Sequence, residues 1–246
     1  MSHPRFLVAS IADAAPADVT LPPDESHHAA RVLRLEAGAE VGVFDGRGRE
    51  WVGRVASISR DAVTVTLERD AAPAAEPRVR LVLAMALLKG DQMDTVIRDA
   101  TMMGVASIRP VITEHVTVPT RAWQRTDLVG RWRRVAVASV KQCGRAVVPE
   151  IAAPQPLDAV LDDAMSDVRI IAVEPAHDPR VGAPAAAMSP PSSATLFVGP
   201  EGGWSAEELE RARASSAEFL SLGPRTLRAD IAPIVALAVL LNGWGW

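Results

Sequence analysis

Short apolar runs alternate with helical segments along the second part of the chain, and this alternation limits the fold more than any other feature. The first run, RLVLAMALLK from Arg80 to Lys89, is almost uninterrupted, which is typical of a strand covered on both faces. Apolar residues then recur at helical spacing from Met93 to Met103, before Gly104, a residue type that commonly ends helices. Further strands are predicted at SIRPVI, VRIIAV, TLFV and FLSL. The pattern predicts an α/β fold, a mainly parallel sheet with helices on both faces.

The residues before Asp70 predict a separate β-rich domain. Alternating apolar and polar residues predict strands at RFLVAS, EVGVFDG, EWVGRVASIS and AVTVTLE, which is typical of a small barrel or sandwich. The segment DAAPAAEP (70–77) lacks large apolar residues and has the Pro/Ala composition of a linker. We therefore predict a β domain over residues 1–72 and an α/β domain over residues 73–246.

The composition is that of a globular protein, with 48% hydrophobic and 23% charged residues in a chain of 246. Cys143 is the single cysteine, which excludes an internal disulfide and a multi-cysteine zinc site. The histidines have no HExxH spacing. No window has the roughly 18 apolar residues of a membrane helix, and the N-terminus has no signal-cleavage pattern. We expect a cytoplasmic protein that needs no membrane and no metal.

A basic segment stands out against the formal net charge of −4. Between Arg121 and Arg145 the chain has six arginines and Lys141, against the lone acid Asp127. A helix is predicted over residues 127–143, with apolar residues inward and arginines outward. The arginines either contact a phosphate backbone or form an ordinary solvated face, and charge alone does not separate the two.

A second basic segment lies inside the β domain. Ser26 is positioned to cap a short helix on which Arg31 and Arg34 could face a phosphate backbone. The alternative, which the spacing favours, is a surface helix that packs Val32, Leu33 and Leu35 against the β domain.

Two loops that begin Gly-Pro follow predicted strands and lead into helices. They are GPEGGW (199–204) and GPRTLRAD (223–230). In parallel sheets, ligands bind beyond the carboxyl ends of the strands. Gly202 and Gly203 can therefore expose backbone groups that a side chain would cover.

The first loop favours a neutral or cationic ligand over a polyphosphate. Ser205 and Glu208 have the spacing of a capping box, which satisfies the free amides of the helix internally. Glu201 would repel a phosphate, and neither a Walker nor a Rossmann glycine pattern is present. The alternative is a tight turn without a ligand.

The second loop places two cations at the end of a strand. Arg225 and Arg228 require an anionic partner or substrate, and Asp230 is positioned to cap the final helix. That helix, IAPIVALAVLL, is apolar on nearly every face, so we expect it in the core or against a second subunit.

Six stretches of the chain resemble the ribosomal RNA small-subunit methyltransferase E family, which belongs to the SPOUT class. They are HHAARVLRLEAG, VFDGRGREW, KGDQMDTVIRDATMMGVASIRPV, ASVKQCGRAVVPEI, LFVGPEGGWSAEEL and LGPRTLRADIA, in the order of the family. The resemblance implies an N-terminal PUA-like RNA-binding barrel and a C-terminal domain with a deep trefoil knot. It also implies a homodimer that methylates N3 of a uridine in small-subunit ribosomal RNA, with S-adenosylmethionine held by the two Gly-Pro loops.

The resemblance implies a set of site residues. The expected cofactor-binding residues are Leu196, Val198, Gly199, Pro200, Glu201, Gly202, Gly203, Leu222, Gly223, Arg225 and Leu227. The residues expected to contact RNA phosphates are Arg31, Arg34, Lys89, Arg133, Arg134, Lys141 and Arg145. For catalysis, we expect Arg228 and Arg225 to stabilise the developing uridylate anion. Asp230 is either a general base or a helix cap, with the cap preferred.

The sequence departs from the family in three places. The final loop has Ala229, Asp230 and Ile231 where relatives usually have Thr-Glu-Thr, so two hydroxyls are missing. Gln92 stands where relatives usually have a second basic residue. The segment around His115 is less polar than expected, although His115 itself could face RNA.

Two other functions share part of this evidence. A ribose 2′-O methyltransferase of the same class would have the same cofactor loops and attack a hydroxyl. A non-catalytic RNA-binding or assembly protein is the alternative if the altered final loop does not bind the cofactor.

Overall fold

A computed structural model of the chain describes residues 3–11, 17–116, 127–163, 166–174 and 189–246. By backbone contacts, the chain divides into two units. The first consists of Met1–Ala75 with Val140–Val148, and the second of Glu76–Ser139 with Pro149–Trp246. The boundary that we drew between residues 72 and 73 stays a prediction.

A five-stranded sheet forms the first unit. Its strands are β1 (Arg5–Leu7), β2 (Asp18–Thr20), β3 (Glu40–Phe44), β4 (Glu50–Ile58) and β5 (Val63–Ala71), in the order β1-β3-β4-β5-β2. Only the β1–β3 pair is parallel among these neighbours. The four predicted strands are all present, whereas β2 has only three residues and was not predicted.

The helical segment of the first unit differs from its prediction. Helix α1 (Pro23–His27) continues into a π-helical turn over His28–Val32. Ser26 is not its cap, because it lies buried inside α1, where its hydroxyl donates to the Leu21 carbonyl at 2.9 Å. The same oxygen accepts from the amide of Val63 at 3.1 Å, so Ser26 fastens α1 to β5. The expected packing is wrong for Val32 and Leu33, which are 61% and 39% exposed, and is confirmed for Leu35, which packs against the core of this unit.

A parallel sheet with helices on both faces forms the second unit, as predicted. Its strands are β6 (Arg80–Ala86), β7 (Ser107–Ile112), β8 (Glu150–Ile151), β9 (Gln155–Pro156), β10 (Val168–Val173), β11 (Ser193–Val198) and β12 (Glu218–Ser221). The order is β12-β10-β11-β6-β7-β8, and β9 also pairs with β7. Every pair is parallel. The helices are α2 (Gln92–Met102), α3 (Leu128–Cys143), α4 (Leu157–Leu161), α5 (Ala206–Ala214) and α6 (Ala232–Gly243).

Alternating side chains of the parallel strands fill two cores. Leu83 and Leu196 belong to the core that α2, α3 and α6 cover, whereas Ala84 and Phe197 belong to the core that α4 and α5 cover. Adjacent residues of one strand are therefore both buried, which explains the uninterrupted apolar runs. No helix in the described part of the chain is long and apolar enough to cross a membrane.

Arg5 is the best-connected side chain of the first unit. Its guanidinium donates to the Glu50 carboxylate at 2.8 and 2.7 Å and to the carbonyls of Val140 and Arg145 at 2.7 Å each. The side chains of Arg5 and Glu50 are only 9% and 7% exposed. Arg5 therefore fixes the last turn of α3 and the residues after it to the β-sheet of this unit.

We expect Arg5→Ala to lower the free energy of unfolding by about 3–5 kcal/mol, because it leaves the Glu50 carboxylate buried without a partner. Arg54, which pairs with Glu40 and Glu68 at the surface of the same sheet, provides the control. Arg54→Ala should cost at most about 1 kcal/mol. Denaturant unfolding of both variants measures the difference, and equal destabilisation of the two would contradict the assignment.

Candidate functional site

The carboxyl ends of β10, β11 and β12 surround a cavity of about 300 Å³. Its wall consists of the end of β10 (172–174), the loop after β11 and the loop after β12. Gln92, at the start of α2, completes the wall from another element. The cavity thus lies where ligands of parallel α/β sheets bind, and its volume is in the range of small-molecule sites.

Trp204 anchors the first loop to the sheet. Its indole N–H donates to the carbonyl of Ala172 at 2.9 Å, and the residue is 5% exposed. A Cβ on Gly199 would lie 3.1 Å from the Trp204 ring, so glycine permits the loop to pass this close. Gly203 has φ +68° and donates its amide to the Pro200 carbonyl at 3.0 Å, which closes the turn.

Helix α5 begins with the predicted capping box. The Ser205 hydroxyl accepts from the Glu208 amide at 3.3 Å, and the Glu208 carboxylate accepts from the Ser205 amide at 2.9 Å. The second oxygen of Glu208 accepts from the amide of Glu114 at 2.9 Å. Glu208 is 2% exposed, so both of its oxygens are engaged inside the protein. Backbone amides at the start of α5 are therefore already hydrogen-bonded within the protein, which argues against a phosphate site there.

The second loop brings Arg225, Thr226 and Arg228 to the cavity. Arg228 forms a two-pronged ion pair with Asp230, with N–O distances of 3.0 and 2.9 Å. The predicted capping role of Asp230 is wrong, because Ile231 occupies the cap position of α6 and no side chain caps that end. The amides of Ile231 and Ala232 instead donate to the Arg228 carbonyl at 3.0 and 2.9 Å.

Most residues that we expected to hold the cofactor surround this cavity. Val198, Gly199, Pro200, Glu201, Gly203, Leu222, Gly223, Arg225 and Leu227 line it. Leu196 does not, because its side chain is fully buried in the core. Gly202 does not line it either and approaches His115 instead, where an added Cβ would lie 2.9 Å from the His115 Cβ. The roles of these residues stay predictions.

The cavity also contains residues that the sequence analysis missed as ligand contacts. These are Gln92, Ala172, Val173, Glu174, Trp204, Leu209, Thr226, Ala229 and Ala232. Three of them, at 172–174, lie at or just beyond the carboxyl end of the buried parallel strand β10, and this position could have identified them. Gln92 was noticed only as a departure from the family, yet its Oε1 is buried and has no hydrogen-bond partner among the described residues.

The residues expected to contact RNA fall into two groups. Arg31, Arg34, Lys89, Arg133 and Arg134 are exposed, and only Arg134 among them forms an ion pair within the described ranges, with Asp127 at 3.8 Å. Arg121 and Arg125 of the same basic run lie outside the described residues.

Lys141 and Arg145 do not fit the predicted phosphate contacts. The Lys141 ammonium lies 2.5 and 2.7 Å from the Glu25 carboxylate oxygens, and its side chain is 24% exposed. Arg145 is 3% exposed. The sequence places both residues in the same basic run as Arg134, but Lys141 is ion-paired with Glu25 inside the first unit and Arg145 is buried.

The comparison with known sequences identifies two domains. The chain matches the family described as RNA methyltransferase domain over residues 75–241 and the RNA methyltransferase PUA domain over residues 21–68. Ribosomal RNA small subunit methyltransferase E of Synechocystis is 31% identical over 224 residues, which cover 90% of this chain and 72% of that protein.

Solved structures share the fold over nearly the whole chain. Ribosomal RNA small subunit methyltransferase E of Neisseria gonorrhoeae, bound to S-adenosylmethionine, has a TM-score of 0.87 at 26% identity and 98% coverage of both chains. A Legionella pneumophila protein with bound S-adenosylmethionine has a TM-score of 0.88 at 28% identity and the same coverage. The predicted fold class, a SPOUT-type parallel sheet with a PUA-like β domain, is confirmed. The trefoil knot itself stays a prediction.

We expect Glu208→Ala to destabilise the protein by about 1–3 kcal/mol, because it leaves the buried amide of Ser205 unpaired. The amide of Glu114, an exposed residue, loses the same partner but can bond to water. Glu207, the exposed neighbour in the same helical turn, is the control, and Glu207→Ala should change stability by no more than about 0.5 kcal/mol. Thermal and denaturant unfolding compare the two. A Glu208 variant as stable as the Glu207 variant would rule out this bracing role.

Proposed function

Because the chain belongs to the ribosomal RNA small subunit methyltransferase E family, we propose that it transfers the methyl group of S-adenosylmethionine to N3 of a uridine in small-subunit ribosomal RNA. The observation that carries this proposal is the cavity between the two Gly-Pro loops, with two arginines in its wall. A methyltransferase needs a cofactor cavity that opens toward an anionic target, and both elements are present in one unit.

The residues of the cavity fit S-adenosylmethionine. The backbone of Gly199–Gly203 and Leu222–Leu227 would hold it, and at Gly223, with φ +104°, an added Cβ would meet only open space. The carboxylates of Glu174 and Glu201 suit a cationic ligand, and the buried Oε1 of Gln92 suits a hydrogen-bond donor. When bound, this cofactor supplies a methyl group on a positively charged sulfur.

Arg228 and Arg225 are assigned to the uridine. N3 of uridine carries a proton at neutral pH, and its loss spreads negative charge over N3, O2 and O4. Arginines that are already oriented stabilise such charge with little reorganisation. Asp230 holds the guanidinium plane of Arg228 through two hydrogen bonds. We therefore assign Asp230 to the orientation of Arg228.

The exposed cations are assigned to the RNA backbone. Arg31 and Arg34 lie on the first unit, and Lys89, Arg133 and Arg134 on the second. Phosphate contacts of this kind position an RNA without reading its sequence. The protein would act in the cytoplasm, where its ribosomal RNA substrate is made and assembled.

We also propose a homodimer that forms through α6. Buried residues of α6, such as Leu237, pack in the core, but the helix is apolar on its other faces as well. Ile231, just before α6, is 46% exposed, and Trp246, just after it, is 61% exposed. Apolar surface of this kind is stabilised when a second copy covers it.

Two measurements in sequence test the function. Calorimetric titration should detect binding of S-adenosylmethionine and of S-adenosylhomocysteine, and none of ATP or NAD. Incubation with small-subunit ribosomal RNA, followed by nucleoside mass spectrometry, should then detect 3-methyluridine. A 2′-O-methylated nucleoside would instead identify a ribose methyltransferase. Failure to bind the cofactor, even with RNA present, would favour an RNA-binding protein.

Arg228→Ala should keep the cofactor affinity and lower the turnover about 100- to 1000-fold, since it removes a preorganised electrostatic contact to the developing charge. Asp230→Asn should lower turnover less, because the arginine remains but its plane is held more weakly. Single-turnover methylation and calorimetry on both variants separate the two steps. Full turnover of the Arg228 variant would remove Arg228 from the chemistry.

Replacing Arg133 and Arg134 together by alanine should weaken RNA binding for all sequences. The slope of log K against log salt should fall by about 0.7–0.9 for each phosphate that the variant no longer neutralises. Arg211 and Arg213, exposed cations on α5, provide a control pair of equal charge change. Equal slopes for the two double variants would mean that Arg133 and Arg134 belong to a solvated face.

A further inference from the structure

The imidazole of His115 fastens the outer side of the first cavity loop. Its Nδ1 lies 3.0 Å from the carbonyl oxygen of Gly202 and 3.1 Å from that of Gly203. Both oxygens are acceptors, so Nδ1 must carry the hydrogen and donate to them. The His115 ring does not line the cavity, which lies on the inner side of the same turn.

The backbone next to His115 is fixed independently. The amide of Glu114 donates to the buried Glu208 carboxylate at 2.9 Å, which also accepts from the Ser205 amide. The segment that follows β7 is therefore tied to α5 one residue before the imidazole. This bond positions His115 against the turn, whatever occupies the cavity.

The two glycines are the part of the loop that most needs such support. Gly202 and Gly203 lack side chains that could pack, and glycine loses more conformational freedom on ordering than any other residue. Gly203 has φ +68° and lines the cavity. Trp204 anchors the end of the turn from the inner side through its bond to Ala172. Between Pro200 and Trp204, the His115 bonds are the contacts that hold the two glycine carbonyls in one orientation.

We propose that His115 is a positioning residue that sets the affinity of the loop for S-adenosylmethionine without touching it. This inference rests on the proposed function. When His115 holds the carbonyls of Gly202 and Gly203, the side of the turn that lines the cavity already has the conformation that binds the ligand. The apparent dissociation constant of a ligand is inversely proportional to the fraction of the protein that is in the binding conformation.

Two substitutions of similar shape isolate the hydrogen bonds. In His115→Asn the side-chain amide nitrogen takes the place of Nδ1 and still donates, whereas His115→Leu has a similar branch and no donor. We expect the leucine variant to bind S-adenosylmethionine about tenfold more weakly in the absence of RNA, the factor that ordinary hydrogen bonds contribute. The asparagine variant should stay within about twofold of the wild type, by calorimetry.

Hydrogen exchange on the ligand-free proteins provides a readout that does not depend on the cofactor. Amides of residues 199 and 201–204 should exchange faster in the leucine variant and at the wild-type rate in the asparagine variant. Exchange in α2 should be equal in all three proteins, which excludes general unfolding. His115 is exposed, so neither change disturbs the core.

The outcomes separate this inference from the proposed function. Unchanged exchange and cofactor affinity in the leucine variant would overturn the role of His115 and leave the methyltransferase proposal intact. Equal weakening in the asparagine and leucine variants would also overturn it, because the donor would not be the cause. If the wild type binds no S-adenosylmethionine, the cofactor proposal and the effect of His115 on affinity both fail. Faster exchange of residues 199–204 in the leucine variant alone would then show that His115 orders the loop but does not set cofactor affinity.

Discussion

Side chains of β6, β10 and β11 alternate between two apolar cores, so both faces of these central strands are covered. With both faces covered by helices, the edge at the carboxyl ends of the strands is where backbone can leave the sheet and meet a ligand. The loops after β11 and β12 both leave at this edge, and the end of β10 lies between these two strands in hydrogen-bonded order. The position of the cavity is thus a consequence of strand order and of burial on both sides.

Long elements could be predicted from the sequence, and short or locally ambiguous ones could not. The apolar runs of β6, β10 and β11 and the helical spacing of α2 are signals that extend over many residues. Strands β8 and β9 have two residues each, which is too few to show any alternation. Ser26 and Asp230 have the residue types of helix caps, but Val63 and Arg228 offer them other partners. Those partners depend on the tertiary fold.

The part of the candidate site that one loop forms could be predicted from the sequence. The part where several elements meet could not. The glycine-rich turn identified residues 199–203 at once, but sequence could not tell that Gly203 lines the cavity and Gly202 approaches His115. Contacts from His115, in the segment after β7, and from Ala172 of β10 set this arrangement of the turn. Gln92 enters the wall from α2 for the same reason. The burial of Arg145 likewise depends on the tertiary fold, since charge patterning treats every arginine of a basic run alike.

The two arginines of the cavity are in different electrostatic situations. Arg228 shares its charge with Asp230, which is 15% exposed and fixes the guanidinium plane while it cancels part of the positive potential. Arg225 lines the same cavity and forms no ion pair among the residues that the structure describes. Arg228 has a fixed orientation but a partly cancelled charge, whereas Arg225 has its full charge but no ion-pair partner in the described part of the chain that fixes it. The two are complementary, because stabilising an anion requires both charge and orientation. A uridylate whose charge spreads over two carbonyl oxygens and N3 offers contacts for both. In the proposed reaction, the two arginines of the wall would therefore divide a task that a single ion-paired arginine would perform poorly.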